Sequence, residues 1–362
     1  MGRRRKRKSC LRACAVIGTG AVVLVGAALL GVLLALHQPT VHWAWRCQGT
    51  SPLVAPLERW KGLLLVEDEG GLLSAVEASS GTVLWQRSLL LGGVGALACG
   101  AGRVWLVDGQ GLLQGRSLVT GAEEVRWPLG SQAGAGVAVV EGIVYVATDD
   151  KRLVWVRAWD GEWLGEQSLP DAPLQPLQGV VGTNLLLLPT RHGFLLLEKG
   201  SHALRAQMLR PWLWGKGCLA EGEFWRGNEQ GELYRWRTEA NPLRWRGWPV
   251  LKAPHPFEAA PWVDEEWVLA GTVKGKAFCL ERTSGRVLWE ARTRGGILAL
   301  PVRVGETTYW ATLEGWLEAR ALANGRLLWR IALGAPVGAD LLTDGQRLYF
   351  ATWKGTLGAL LL

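Results

Sequence analysis

The sequence predicts an all-β chain: an eight-bladed β-propeller of four-stranded antiparallel blades, preceded by a single transmembrane helix. Three observations carry that reading. The line SGTVLWQR, beginning at Ser80, returns as SGRVLWEA from Ser284 and as NGRLLWRI from Asn324. Turn positions between paired apolar runs recur at Gly71, Gly111, Lys151, Gly193, Gly231, Gly275, Gly315 and Gly355, at spacings of 40, 40, 42, 38, 44, 40 and 40 residues. Near the N-terminus, Ala15 to Leu36 is a run of 22 residues without a charge. Self-similarity at a fixed period of about 40 with four short strands per unit is the grammar of propeller blades.

The first forty residues form a separate object. Residues 1–14, MGRRRKRKSCLRAC, are a basic tail, 15–36 the apolar run, and 37–40 a short linker, HQPT. At about 1.5 Å per residue the run makes a helix of about 33 Å, enough to cross a bilayer core. A cleaved signal peptide has an apolar core of about 7–15 residues followed by a small-residue cleavage site, which HQPTVHW does not offer, so a retained signal anchor is expected. Arg3, Arg4, Arg5, Lys6, Arg7, Lys8 and Arg12 all precede the run, and positive flanks stay in the cytoplasm. The reading is therefore a single-pass inner-membrane protein with its propeller on the periplasmic side. Those seven cations leave +1 of the +8 net charge for everything after the span. The basic tail thus explains the pI, and no nucleic-acid partner is expected.

Residues 41–362 are the propeller. Each repeat reads as strand, tight turn, strand, as in IVYVATDDKRLVWVRA and TTYWATLEGWLEARAL, with Asp, Lys and Gly at the turn. The runs are more continuously apolar than a half-exposed strand, which suits strands buried on both faces. A second turn follows at Gly81, Gly121, Gly161, Gly200, Asn241, Gly285 and Gly325, and then an outer strand bearing Trp85, Trp127, Trp163, Trp245, Trp289 or Trp329. These tryptophans are read as blade-to-blade staples, each indole packing on the next blade with its N–H on a backbone carbonyl. The eighth hairpin ends at Leu362 without an outer strand. VHWAWRCQ, from Val41 to Gln48, supplies it, with Trp45 at 20 residues before Leu65 as Trp85 is before Trp105. Closing the ring in this way removes open sheet edges.

SGTVLW, TSGRVLW and ANGRLLW, alternating with VYVAT, YWATLEG and LYFATWKG, resemble the repeats of the pyrroloquinoline-quinone-type β-propellers. In size the chain is similar to their non-enzymatic eight-bladed members, the outer-membrane β-barrel assembly lipoproteins. The resemblance spans about Val41 to Leu362 and implies a protein-interaction scaffold with envelope proteins as partners. It implies no cofactor, no metal and no small-molecule ligand. LRAC at Leu11–Cys14 precedes the apolar run instead of ending it, so the anchor here is a helix and not a lipid. Blades four and five depart most from the repeat; GSHALRAQMLRPWLW lacks Gly-x-x-x-Trp.

No catalytic constellation is legible. Gly93 to Ala98, GVGALA, fits a dinucleotide pattern but runs into a hairpin where that motif requires a helix. Gly271 to Ala277, GTVKGKA, has the wrong spacing for a phosphate loop. His192, His202 and His255 are isolated and read as exposed turn residues, and Asp149–Asp150 and Asp264–Glu266 as solvated turns. Cys47, Cys99, Cys218 and Cys279 show no metal or redox spacing, and sequence leaves their disulfide state open. Two further function classes are set beside the scaffold. A quinoprotein dehydrogenase would need, by the resemblance, an adjacent cysteine pair that is absent. A carbohydrate-binding propeller would use Trp316 and Trp353, near hairpin turns. The partner-binding surface is placed where the repeat is broken, in RPWLWGKG and NPLRWRGWPVLKAPHPF, with Trp212, Trp214, Arg244, Trp248 and Phe257 as its residues. Loops on a rigid ring are where recognition sits, and Trp with Arg is the composition of interface anchors.

Overall fold

The computed structural model describes residues 41–53, 56–89, 95–209, 215–220, 222–238, 241 and 243–362. The expected tail, transmembrane helix and linker over 1–40 lie outside them. Among the described residues every regular element is a β-strand, and no helix is long and apolar enough to cross a membrane.

Thirty-two strands form eight four-stranded antiparallel sheets, the blades of one propeller. Blade 1 comprises Glu58–Trp60, Leu63–Glu67, Leu72–Glu77 and Val83–Ser88, paired in that order. Six more blades repeat the scheme. The eighth pairs Leu342–Thr343, Arg347–Ala351 and Thr356–Leu361 with Trp43–Gln48 from the other end of the chain, in a register that sets Trp45 opposite Ala359 and Gln48 opposite Thr356. First strands of neighbouring blades approach one another and so lie toward the axis.

Burial follows the same order. In blade 1 the second strand is buried from Leu64 to Glu67, whereas on the fourth strand Trp85 alone is buried. This is why the hairpin runs are continuously apolar, since both faces of each middle strand pack against a neighbouring blade. Seven hairpins are closed alike. Asp68, Asp108, Thr148, Asn228, Thr272, Thr312 and Thr352 each accept the N–H four residues on, at 2.7–3.1 Å. The turn residue before that N–H takes a left-handed conformation. Gly71 does so at φ 79°, and Lys151 holds the same geometry at φ 63° without glycine's freedom. Blade 4 differs. Thr190 pairs directly with Gly193 across a two-residue turn, so the glycine read as a turn is the first residue of a strand.

Between blades the recurring device is a donor on one blade and a carbonyl on the next. Trp45, Trp85 and Trp289 donate their indole N–H to the carbonyls of Ala78, Leu118 and Leu322, at 2.5–3.0 Å. Each lies opposite a small residue of its own third strand, Ala359, Ala75 or Cys279. Each also covers a glycine of the next blade. A Cβ at Gly81, Gly121 or Gly325 would lie 2.6 Å from the ring of Trp45, Trp85 or Trp289. The Gly-x-x-x-Trp pattern therefore serves two interfaces, its glycine the preceding one and its tryptophan the following one. Removing residues 41–48 deletes both the fourth strand of blade 8 and the Trp45 donor. The expected result is aggregation through the exposed Thr356–Leu361 edge, measured by light scattering of the purified chain; an intact chain stays monodisperse.

Candidate functional site

The device changes where the sequence departs from its period. In blade 2 the register of Trp85 is held by Val125, opposite Gly115. Arg103 supplies the donor instead, reaching the Ala158 carbonyl of blade 3 at 3.0 Å and that of Trp159 at 2.9 Å, while Trp127 donates to Gly161 at 2.8 Å. In blade 3 the register is held by Gly165, and Trp155 of the third strand takes the vacated space. Its ring stacks on His202 of blade 4 at 4.0 Å, and the Tyr145 hydroxyl bonds His202 Nε2 at 3.1 Å. His202 is buried, not the exposed turn residue the sequence suggested, and burial lowers its pKa. Trp163 packs beside Trp127 at 5.6 Å. Trp329 occupies the staple register over Ala319 and packs on Tyr309 at 5.9 Å.

Blade 5 is the most altered. Its inner side meets blade 4 through Phe194, which contacts Phe224, Trp236 and Trp245 at 5.2–5.9 Å. Arg226 is fully buried where blade 8 has Phe350 and blade 7 Trp310. It donates to the carbonyls of Gly215, Thr190 and Gly193 at 2.7–2.8 Å, and burial pulls its pKa down to about 9. On the opposite side, Trp248 and not Trp245 holds the register of Trp85, with Arg235 opposite it. The Arg235 guanidinium lies 5.2 Å from the Trp225 ring and 5.7 Å from that of Trp248, and it donates to the carbonyls of Arg282 and Thr283 at 2.8 Å. Arg282 is 40 residues before Leu322, so the carbonyl served is the one that Trp289 serves in the next interface. Buried Glu223 pairs with Arg235 and with Arg282. Sequence reading missed Arg235, since its signal is an arginine where other third strands carry Ala75, Ala319 or Ala359.

The five residues expected to bind a partner are not gathered at one place. Trp212 and Trp214 lie outside the described residues. Phe257 is 1% exposed, in the core between blades 5 and 6, with Phe278 at 5.9 Å. Arg244 is exposed just before Trp245, at the end of the blade opposite the connection that carries Phe257. Trp248 is half-buried, with the Arg237 guanidinium 5.3 Å from its ring. Arg237, Arg244 and Arg246 are exposed, and none has an acidic partner among the described residues. The outer rim of blade 5 is thus a basic strip around one indole. Pro249 in its edge strand removes an N–H that another chain could pair with.

The polar residues set aside in the sequence mostly hold turns. Asp150 pairs with Arg152 at 2.8 Å, Asp264 with Arg303 at 2.6 Å, and His192 Nδ1 lies 2.8 Å from buried Asp171. Cys47, Cys99, Cys218 and Cys279 are free thiols, and burial raises the pKa of each. Among the described residues no group of His, Cys, Asp and Glu could hold a metal. Trp316 lies under the Arg294 guanidinium at 4.1 Å, with Arg330 at 6.0 Å, and Trp353 is 41% exposed.

The family model described as outer membrane protein assembly factor BamB matches residues 43–173 and 222–322, more than half of the chain. The chain belongs to the BamB family. Among curated relatives, a BamB of Legionella pneumophila is 30% identical over 31% of this chain and 30% of its own length. One of Kangiella koreensis is 33% identical over 26% of each. The chain spans less than a third of the length of these relatives. Among solved structures, BamB from Moraxella catarrhalis superposes with a TM-score of 0.73 at 15% identity, over 89% of this chain and 98% of that one. The quinohemoprotein alcohol dehydrogenase of Comamonas testosteroni gives 0.71 at 10% identity, over 89% and 76%. At those identities the likeness is of fold, and it includes an enzyme. The BamB family match, by contrast, runs through the closing strand and both sides of blade 4.

Glu58 on the first strand of blade 1 is the titratable group with the plainest consequence. Burial raises its pKa to about 7, and its proximity raises that of Cys99. A carboxyl whose folded pKa lies above its unfolded value stabilises fully below the unfolded value and loses that contribution as pH rises through 7. Denaturant unfolding should therefore show stability falling between pH 5 and 8. Glu58→Gln should flatten that profile and be more stable by about 2 kcal/mol at pH 8.

Proposed function

We propose that this chain is a membrane-tethered, extracytoplasmic scaffold that contributes to the assembly of outer membrane proteins. The family match at residues 43–173 and 222–322 carries the reading, because it ties six blades and the closing strand of the eighth to a family described by that role. The helix over 15–36 holds the ring at the inner membrane with the basic tail in the cytoplasm, as its length and flanking charge favour. The ring acts by contact and not by catalysis, with other envelope proteins as its partners. Its contact surface is the basic rim of blade 5. Arg237, Arg244, Arg246 and the outer face of Trp248 make up that rim.

Rigid closure suits that task. A surface built on a closed sheet ring loses little freedom on binding, so few exposed anchors suffice.

Cells deleted for the chain should hold less outer-membrane β-barrel protein, and the full chain should restore it. Triple reversal of Arg237, Arg244 and Arg246 to Glu should fail to restore it while leaving thermal stability nearly unchanged. After a high-salt wash the full-length chain should stay with the inner membrane. Unchanged barrel protein levels in the deletion would overturn the assembly role, and a soluble form starting near residue 38 would overturn the anchor.

A further inference from the structure

The repeat supplies an internal template for one cavity. At the interface of blades 6 and 7 the outer cleft is filled. Arg294 stacks on Trp316 at 4.1 Å, and Glu318, wholly buried, accepts the Arg330 Nε at 2.8 Å and the Arg294 backbone N–H at 2.8 Å. Glu314 closes the mouth by accepting the N–H of Gly296 at 2.7 Å. Two acids and an indole thus neutralise and cover the arginines.

Forty residues on, the same positions at the interface of blades 7 and 8 hold different side chains. The strand register aligns Thr356 with Trp316, Gly358 with Glu318 and Arg46 with Arg330. Gly334 stands for Arg294, and Lys354 for Glu314. The indole and both acids are gone, and a lysine is added; Phe350 and Trp43 take the room beside Gly358, and the kept arginine, Arg46, lies 5.5 Å from the Trp43 ring. A cavity of about 540 Å³ opens there, lined by Arg46, Thr356, Gly334 and Lys354 and edged by Trp353. Neither Arg46 nor Lys354 has an acidic partner among the described residues. The Thr356 hydroxyl is held by Gln48 Oε1 at 2.7 Å, which keeps the floor in place.

We infer that this cavity binds an extended acidic peptide segment of a partner protein, in which an aromatic side chain fills the place Trp316 holds in the preceding repeat and a carboxylate two residues away meets Arg46. The carboxylate pairs with Arg46 from within the cavity. The aromatic ring fills the space over Thr356 and meets the edge of Trp353. Lys354 at the mouth draws the negative charge in, so the interaction weakens with salt. The inference deepens the scaffold reading, since it gives that scaffold a second, chemically defined contact apart from the blade 5 rim.

The test is calorimetric titration of the full chain in detergent with the capped peptide Gly-Ser-Trp-Ser-Glu-Ser-Gly. A second peptide has Gln in place of Glu. The glutamate peptide should bind, and either the Gln peptide or Arg46→Ala should weaken it at least tenfold, with no further loss when the two changes are combined. Arg46 is exposed, so its replacement leaves the fold intact, and Thr356→Trp should block the cavity from within. Equal binding of the two peptides, unchanged binding by Arg46→Ala, no binding at millimolar peptide, or binding of a neutral oligosaccharide in place of the acidic peptide would overturn the inference. The titration reads the cavity in the purified chain, whereas outer-membrane protein levels read the assembly role in cells. Failure of one therefore leaves the other standing.

Discussion

The ring rests on one interaction repeated at five of its interfaces: the carbonyl that ends the third strand receives a donor from the preceding blade. Ala78, Leu118, Ala158, Arg282 and Leu322 are the same position in five blades, and Trp45, Trp85, Arg103, Arg235 and Trp289 serve them. A buried carbonyl without a donor costs about 1–3 kcal/mol, so the position is constrained at those interfaces. Blades diverge outward from the axis, and the space between their outer strands must also be filled. An indole does both at once, as a large flat body with one N–H.

This accounts for the substitutions that break the period. Where Val125 replaces the indole, a long arginine from the second strand reaches the carbonyl and Trp127 covers the next one. Where Gly165 replaces it, Trp155 moves into the gap from the adjacent strand and His202 meets it from across. Where Arg235 stands opposite Trp248, the guanidinium is clamped between Trp225 and Trp248 and donates in place of the indole. The buried Arg235 is tolerable because Glu223 neutralises it and two carbonyls accept its protons.

Blade number, hairpin turns and ring closure were legible in the sequence because each rests on local chemistry that recurs at fixed spacing. Seven of the eight turn positions take their left-handed geometry, including Lys151, where spacing survives a change of residue. Gly193 was misread because a two-residue turn shifts the strand start without changing the apolar pattern. Trp127, Trp163 and Trp245 were grouped with Trp85 by residue type, but cross-strand register, which single-sequence spacing does not give, separates them. Phe257 illustrates the same limit at the candidate site. Proline and tryptophan in a connection mark a departure from the repeat, yet whether a side chain there points outward or into the next blade is decided by packing. The unfilled cleft beside Arg46 was invisible for a further reason, since it is defined by what Thr356 and Gly334 lack relative to Trp316 and Arg294.

The ring also separates what is shared from what is free to vary. Donor and carbonyl fix the interfaces, while the outer rim of blade 5 and the cleft between blades 7 and 8 carry cations that no interface uses. Trp289→Phe tests the central requirement most directly, because it keeps an aromatic ring in the gap and removes the N–H that serves Leu322, along with part of the indole's bulk. Equilibrium urea unfolding should show a loss of about 1–3 kcal/mol. A variant as stable as the parent would contradict the account, since the carbonyl would then need no donor.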